Sequence, residues 1–247
     1  MKQFWTEGFG SILIAIGVAL TIRWAFLEAY VIPSASMMPT LLIHDHIFVN
    51  KMVYGVRVPF SENWLVRFAD PKRGEIIVFK YPLDKNTFFI KRVVGLPGDT
   101  IRYENRTIFV NDVPIEQGEA TDSFGWDMVK EDDFATGDGI ARGFSDSKDN
   151  YVHLQEKLGD YTHSILLRKD SLGGPAGPWK VPEGHLFMMG DNRDNSADSR
   201  RWQFLPVENI LGRATFVWLS CEDTVPKLSF LCNPLTIRWS RLFHGVH

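Results

Sequence analysis

The first strong pattern is a run without charge. From Gly8 to Ile22 no residue is ionised, with Glu7 before the run and Arg23 after it. As a helix this run spans about 22 Å, short of a hydrocarbon core of roughly 30 Å. Phe4 and Trp5 on one side, and Trp24, Phe26 and Leu27 on the other, extend it. Arg23 can snorkel toward headgroups, so a span over residues 4–27 is physically possible. A buried core helix fits poorly with a nearly continuous apolar run at this position. A cleavable signal peptide fits Lys2, the apolar run and the small residues Ser34-Ala35-Ser36. A retained signal anchor fits best and most simply delivers the long following domain to the trans side. Lys2 and the α-amino group oppose Arg23, so counting basic residues does not fix the orientation.

The period then changes. Short runs rich in Ile, Val, Phe and Thr occur at Glu75–Tyr81, Phe88–Leu96, Thr100–Val110, Ser164–Lys169, His185–Met189 and Ile210–Ser220. Gly, Pro, Asn and Asp bound them, which predicts strands. Leu96-Pro97-Gly98-Asp99 has the centre of a type II turn. Glu104-Asn105-Arg106 reads as a hairpin tip. No strand–helix alternation is visible, which argues against a doubly wound parallel sheet. Residues 116–163 lose the pattern, with Asp132-Asp133, Thr136-Gly137-Asp138-Gly139 and Ser145–Asn150, and read as an inserted, weakly ordered, loop-rich lobe. Ser171–Pro178 leads back to the main sheet. The organisation expected is an N-terminal transmembrane helix at 1–29, a β-rich core from 30–115 and 179–247, and a lobe at 116–178. There is no internal repeat.

Composition narrows the function classes. The 247 residues allow one large domain or two small ones. With 27 Lys and Arg against 30 Asp and Glu, the net charge is −3, so there is no bulk positive charge for generic nucleic-acid binding. Hydrophobic residues at 45% and charged residues at 23% exclude wholesale disorder. A mean hydropathy of −0.11 excludes a polytopic membrane protein and leaves room for one span. Two cysteines, Cys221 and Cys232, make neither a disulfide-rich scaffold nor a CxxC pair. Eight Trp and eighteen Phe favour a large apolar core or a membrane-facing surface.

Three segments carry candidate chemistry. In Ile32-Pro33-Ser34-Ala35-Ser36-Met37-Met38-Pro39-Thr40-Leu41, two serines sit between prolines that restrict the backbone. A rigid loop suits a nucleophilic oxygen; a membrane-proximal linker is the plain alternative. In Phe88-Phe89-Ile90-Lys91-Arg92-Val93-Val94-Gly95, a lysine lies within an apolar strand. Period two puts Lys91 with Phe89 and Val93, and Arg92 with Ile90 and Val94, so it does not say which cation is buried. A buried Lys91 would lose charge by desolvation and could act as a base toward a serine. An edge-strand lysine is the plain alternative. The third segment, Met188–Trp202, is dense in polar groups after an apolar strand. It fails the EF-hand pattern, since Arg193 and Ser196 take the third and sixth positions from Asp191. It reads as a hydrogen-bonded loop with Asp–Arg pairs supporting a site.

Other patterns fail. Ser145-Asp146-Ser147-Lys148 fits SxxK, but Lys-Thr-Gly and Ser-Asp-Asn are lacking. No GxSxG, Walker loop or HExxH occurs. His44 and His46 flank Asp45 without further ligands nearby, and a solvated turn is expected there. None of the seven His lies in a segment of this kind, though a Ser-His-Asp triad is not excluded by counting.

Taken together and in order, these segments resemble the type I signal peptidases, the bacterial leader peptidase family. The resemblance rests on Ile32–Leu41, on Arg73-Gly-Glu-Ile-Ile-Val-Phe-Lys-Tyr-Pro82, on Ile90-Lys-Arg-Val-Val-Gly-Leu-Pro-Gly-Asp99 and on Met189-Gly-Asp-Asn-Arg-Asp-Asn-Ser-Ala-Asp-Ser-Arg200. It covers the anchor and roughly residues 30–115 and 180–220. It implies a mostly β fold with an antiparallel, barrel-like catalytic core. It implies Ser36 as nucleophile and Lys91 as general base, with the Ser34 hydroxyl and Ser36 N–H as oxyanion donors. Ser196 would orient the Lys91 amine, Asp198 and Arg200 would pair beneath the site, and Asp191 and Asn192 would shape the loop. Ile32, Met37, Leu41, Ile47, Val78, Phe89 and Ile90 would line shallow pockets that admit Ala and reject bulk.

The implied activity is membrane-bound serine endopeptidase cleavage of signal peptides from exported preproteins, after small residues, with no metal or cofactor. The implied partners are preprotein signal peptides, bound as an added strand, and the lipid bilayer, not nucleic acid. The implied location is the bacterial inner membrane, single-pass, with the catalytic domain extracytoplasmic. An oxidising compartment would join Cys221 to Cys232. Apolar surface near the bilayer is expected from Val58-Pro59-Phe60, Trp64-Leu65 and Ile237–Phe243. Two positions depart from the family pattern: Ala35 and Gln203 each stand where Gly is usual. A self-cleaving repressor of the LexA kind shares the dyad and core fold, but it should carry a DNA-binding domain and no span. A non-catalytic peptide-binding β-domain would not need Ser36, Lys91 and Ser196 together.

Overall fold

The computed structural model describes residues 8–58, 61, 63–135 and 147–246. Helix α1 (Phe9–Ala25) leads through Phe26 into strand β1 (Leu27–Val31). Its Ile12, Leu13, Ile14, Ile16 and Val18 are 50–55% exposed. Among the described residues, no helix is long and apolar enough to cross a membrane. Residues 1–7, including Phe4 and Trp5 of the expected span, lie outside the described residues.

The strands follow in order: β2 (Asp45–Asn50), the small hairpin β3 (Gly55–Arg57) and β4 (Trp64–Arg67), then β5 (Ile76–Tyr81) and β6 (Asp84–Gly95). Next come β7 (Thr100–Glu104), β8 (Thr107–Val110), β9 (Val113–Pro114) and β10 (Gln117–Glu119). A short helix α2 (Phe124–Asp127) precedes the hairpin β11 (Tyr151–Leu158) and β12 (Tyr161–Arg168). The chain returns through β13 (Trp179–Lys180), β14 (His185–Met189), helix α3 (Ser199–Trp202), β15 (Leu205–Pro206) and β16 (Ile210–Ser220). It finishes with β17 (Thr224–Val225), β18 (Leu228–Cys232) and β19 (His244–Gly245).

The main sheet runs β1-β2-β16-β5-β6-β14-β15, with β19 also on β16, and every pairing is antiparallel. Register shifts interrupt β16 against β2 and β5, and β14 against β6. Such bulges add twist and bend a sheet. The bend is large. Four strand steps separate β1 from β6, about 19 Å if flat. Yet the Tyr30 and Phe88 rings lie 6.2 Å apart. Both faces of β5 are covered: Ile76 and Val78 pack with Met37, Leu41, Ile47 and Val217, while Ile77 and Phe79 pack with Val93, Met188, Leu205 and Ile210. That accounts for an unbroken apolar run rather than alternation.

The expected strands at His185–Met189 and Ile210–Ser220 form over those bounds. Gly98 takes φ 86 and the Asp99 N–H bonds the Leu96 carbonyl at 3.0 Å, closing the expected turn. Asn105 and Arg106 both have positive φ at the hairpin tip. Three readings change. Asp45 and His46 do not lie in a solvated turn; they are buried at the start of β2, and Asp45 accepts from Arg241 Nε at 3.1 Å and from the Leu42 N–H at 2.8 Å. The stretch 151–163, expected to be loop-rich, is largely a regular antiparallel hairpin. The tail Ile237–Phe243 is exposed only in part, since Trp239 and Phe243 are exposed while Arg238 and Arg241 are buried. Val58 and Leu65 are exposed as expected, and Pro59 and Phe60 lie outside the described residues. Cys221 and Cys232 form a disulfide.

Candidate active site

Pro33 and Pro39 hold a short segment between β1 and β2 whose centre is one 3-10 turn, Ala35–Met37. Ala35 is not among the residues with left-handed backbone, so the strain that the expected Gly would have relieved does not arise. The turn buries Ala35, Ser36 and Met37. Ser34 Oγ lies 3.3 Å from Ser36 Oγ.

Lys91 comes to this turn from β6. Its Nζ donates to Ser36 Oγ at 2.6 Å, and each residue is 1% exposed. The Phe89 ring, on the same face of β6, has its centroid 5.2 Å from the amine. Period two turns Arg92 to the opposite face, where it is also 1% exposed. Arg92 Nε and Nη2 donate to the two Asp191 carboxylate oxygens at 2.8 and 2.7 Å, and Nη1 donates to the Gly74 carbonyl at 2.7 Å. Burial alone would raise the Asp191 pKa; the Arg92 guanidinium outweighs it and holds the carboxyl below its usual range.

The loop after β14 closes around the turn. The Asn192 N–H donates to the Ser36 carbonyl at 3.1 Å, and Asn192 Nδ2 to the Ala35 carbonyl at 3.2 Å. Asp191 accepts from Thr40 Oγ1 at 2.6 Å. Asp198 caps α3 and takes Arg200 Nε and Nη2, each at 2.8 Å. It also accepts the Gly190 N–H at 3.2 Å. Burial raises the Asp198 pKa, and the Arg200 guanidinium with its hydrogen bonds more than offsets that rise, leaving it depressed. Ser196 is buried, and its Oγ makes no well-formed hydrogen bond among the described residues, although it lies near enough to the Asp198 carboxylate to help hold that pKa down. The expected bond from Ser196 to the Lys91 amine is therefore absent from this arrangement.

Of the expected pocket residues, Ile32, Met37, Leu41, Ile47, Val78 and Ile90 belong to one core cluster. Phe89 instead packs with Phe79 and Tyr81, stacked on the latter at 4.5 Å. The first six are at most 8% exposed, so they lie beneath the surface rather than open to it. On the edges beside the site, β1 pairs with β2, and β14 joins β6 only from Arg92 onward.

Sequence reasoning missed several partners. Arg193 donates to Glu156 of β11 through Nη1 at 2.9 Å and Nη2 at 2.6 Å, with Glu156 fully buried. His163 of β12 lies 3.8 Å from both the Glu156 and Asp191 carboxylates. Burial pushes its pKa down to about 3, and Arg92 adds to that shift. A signal for Glu156 exists: alternation along β11 puts it on the face of Leu154 and Leu158, an inward position for a carboxylate.

Residues 5–219 match the family model described as signal peptidase, peptidase S26. A signal peptidase I from Pseudomonas fluorescens is 39% identical over 232 residues, covering 87% of this chain and 72% of its own. One from Rickettsia typhi is 34% identical and covers 98% of this chain and 94% of its own. One from Aquifex aeolicus is 34% identical, with 91% and 88% covered.

Proposed function

The chain belongs to the signal peptidase family, peptidase S26, as a serine peptidase, and from that premise we propose that it cuts signal peptides from exported preproteins with a Ser36–Lys91 dyad. The observation that supports this best is the 2.6 Å separation of Lys91 Nζ and Ser36 Oγ, both enclosed.

In its uncharged form the amine takes the Ser36 proton as Oγ attacks the scissile carbonyl. The oxyanion forms beside the Ser34 hydroxyl and the Ser36 N–H; one such donor is typically worth about 3–4 kcal/mol in the transition state. As the C–N bond breaks, Lys91 returns the proton to the leaving amine. Water, deprotonated by the same amine, then hydrolyses the Ser36 ester. Ser196 would orient the amine only if its hydroxyl turned toward it, and Asp191, Asn192, Asp198 and Arg200 hold the loop. No step requires a metal or cofactor.

A preprotein segment binds as an added strand between β1 and β6. The enclosed Ile32, Met37, Leu41, Ile47, Val78 and Ile90, with Phe89 beside them, set the pocket floor. A shallow floor selects small residues before the cut. Helix α1 and its flanking residues anchor the chain in the bacterial inner membrane, where its half-exposed apolar side chains leave water. One residue, Phe26, then separates α1 from β1, which keeps the catalytic domain close to the bilayer on the extracytoplasmic side. In this reading the anchor, the core at 30–115 and 179–247, and the lobe at 116–178 are distinct parts.

Purified enzyme with a preprotein tests the dyad. Ser36→Ala and Lys91→Ala should each abolish processing while leaving the fold intact. Equal processing by the wild type and both variants would end the assignment.

A further inference from the structure

The hairpin β11–β12 grips the loop after β14 almost residue by residue. The Leu166 N–H donates to the Asp191 carbonyl at 3.0 Å. Glu156 takes both Arg193 Nη groups. Asp194 takes the Arg168 N–H at 2.8 Å and Ser171 Oγ at 2.5 Å. These contacts alternate with those the same loop makes to the Ser36 turn and to Asp198. Glu156 is the only side chain of the hairpin in this set that is both charged and wholly enclosed; Gln117 Nε2 also donates to it, at 3.1 Å.

We propose that Glu156 is a positioning residue for the Ser36–Lys91 dyad, acting through Arg193 on the Gly190–Ser196 loop. The inference rests on the dyad reading above. The connection runs through short contacts. Arg193 Nε donates to the Gly190 carbonyl at 3.2 Å, and the Arg193 carbonyl accepts from Arg200 Nη2. Arg200 is paired with Asp198, which accepts the Gly190 N–H. Gly190 in turn abuts both Ser36 and Ser196: a Cβ built on it would lie 2.5 Å from the Ser36 carbonyl oxygen and 2.4 Å from Ser196 Oγ. The Arg193 guanidinium thus holds the Gly190 carbonyl directly, while Arg200, which also grips the Arg193 carbonyl, fixes the Gly190 N–H through Asp198. A guanidinium in this position needs a fixed counter-charge, because a buried cation left alone would swing toward solvent and take the loop with it. Glu156 supplies that charge with two-point geometry, which fixes orientation as well as distance. Burial raises its pKa and Arg193 more than offsets the rise, so the carboxyl stays ionised.

The inserted lobe therefore has a task in catalysis beyond its own folding: one of its strands carries the carboxylate that sets the height of the catalytic loop. Two variants separate this from plain structural support. Glu156→Gln keeps the shape and removes the charge. The double variant Glu156→Leu with Arg193→Met replaces the pair by apolar side chains, which commonly restores stability but not orientation. Each is measured as full-length protein, on its folded fraction, well below its own unfolding temperature, with Ser36→Ala alongside. The expected result is a kcat at least tenfold below wild type for both, KM within twofold, and an unfolding temperature restored in the double variant. A folded variant of either kind with kcat within twofold of wild type overturns the proposal, as does failure of both to fold, which would mark the pair as a folding determinant. Processing by Ser36→Ala would instead overturn the dyad reading, leaving the Glu156 result to be read separately.

Discussion

Gly190 and Ser36 meet with no room for a side chain between them. A Cβ on Gly190 would sit 2.5 Å from the Ser36 carbonyl oxygen, a backbone atom that cannot rotate away. Ser196 Cβ, at 2.6 Å, closes the other side. The glycine is thus required by contact, not by left-handed backbone.

Gly190→Ala should therefore push the Ser36 turn away from Lys91. A displacement near 1 Å typically costs about 100-fold in rate, and overpacking costs about 1–3 kcal/mol. Single-turnover preprotein cleavage and urea unfolding read the two effects. Wild-type kcat in a folded Gly190→Ala protein would refute the contact argument.

The Arg92–Asp191 pair predicts a stability effect. Asp191→Asn leaves Arg92 enclosed and removes the charge of its two-point carboxylate partner. Removing one partner of such a pair costs about 3–5 kcal/mol. Chemical denaturation should show the loss, and replacing both residues with apolar ones should recover much of it. A loss below about 1 kcal/mol would mean that water reaches Arg92.

Lys91 and Arg92 also show how far the sequence could be read. Alternation placed them on opposite faces and left open which was buried. Both are, because each face of β6 meets a different polar partner: Ser36 for Lys91, Asp191 for Arg92. No local pattern contains that information, since the partners lie 55 and 99 residues away. The strands at His185–Met189 and Ile210–Ser220 were legible because their composition and bounding turns agree with tertiary burial. Residues 151–163 were not, because His153, Gln155, Glu156 and His163 dilute the apolar signal. Part of that polarity comes from inward-facing groups that the core pairs, such as Glu156. Asp45 misled in the same way: a charged residue between two histidines looks solvated until Arg241, 196 residues on, is brought against it.

Gln203, a position where the family resemblance leads one to expect Gly, has backbone φ 71, ψ −110 at the end of α3. A side chain there is strained by about 1–3 kcal/mol. Gln203→Gly should relieve more than the unfolded-state entropy it adds, for a net gain of about 1 kcal/mol. The Gln203 N–H bond to the Ser199 carbonyl, 2.9 Å, survives the change. A thermal unfolding midpoint that stays put or falls would show the strain to be absent.

His163 makes the fold sensitive to acid. It is buried between Arg92–Asp191 and Arg193–Glu156, and its pKa is about 3 against 6.5 for an exposed ring. The folded value lies below the unfolded one. Its stabilising contribution is therefore whole above about pH 6.5 and is lost as pH falls toward about 3, because only the unfolded chain takes up the proton. The slope is about 1.4 kcal/mol per pH unit, or about 2 kcal/mol between pH 6.5 and 5. The depressed carboxyls of Glu156, Asp191 and Asp198 act in the same direction, but only below their unfolded values near 4. The window from pH 6.5 to 5 thus separates the ring from them. His163→Gln removes the titrating group and keeps a polar side chain between the two pairs. Urea unfolding at pH 7.5 and pH 5 should show the wild type losing about 2 kcal/mol more than His163→Gln across that interval. Equal losses in the two proteins would mean that the ring protonates in the folded state, and that the two carboxylates beside it outweigh burial and Arg92.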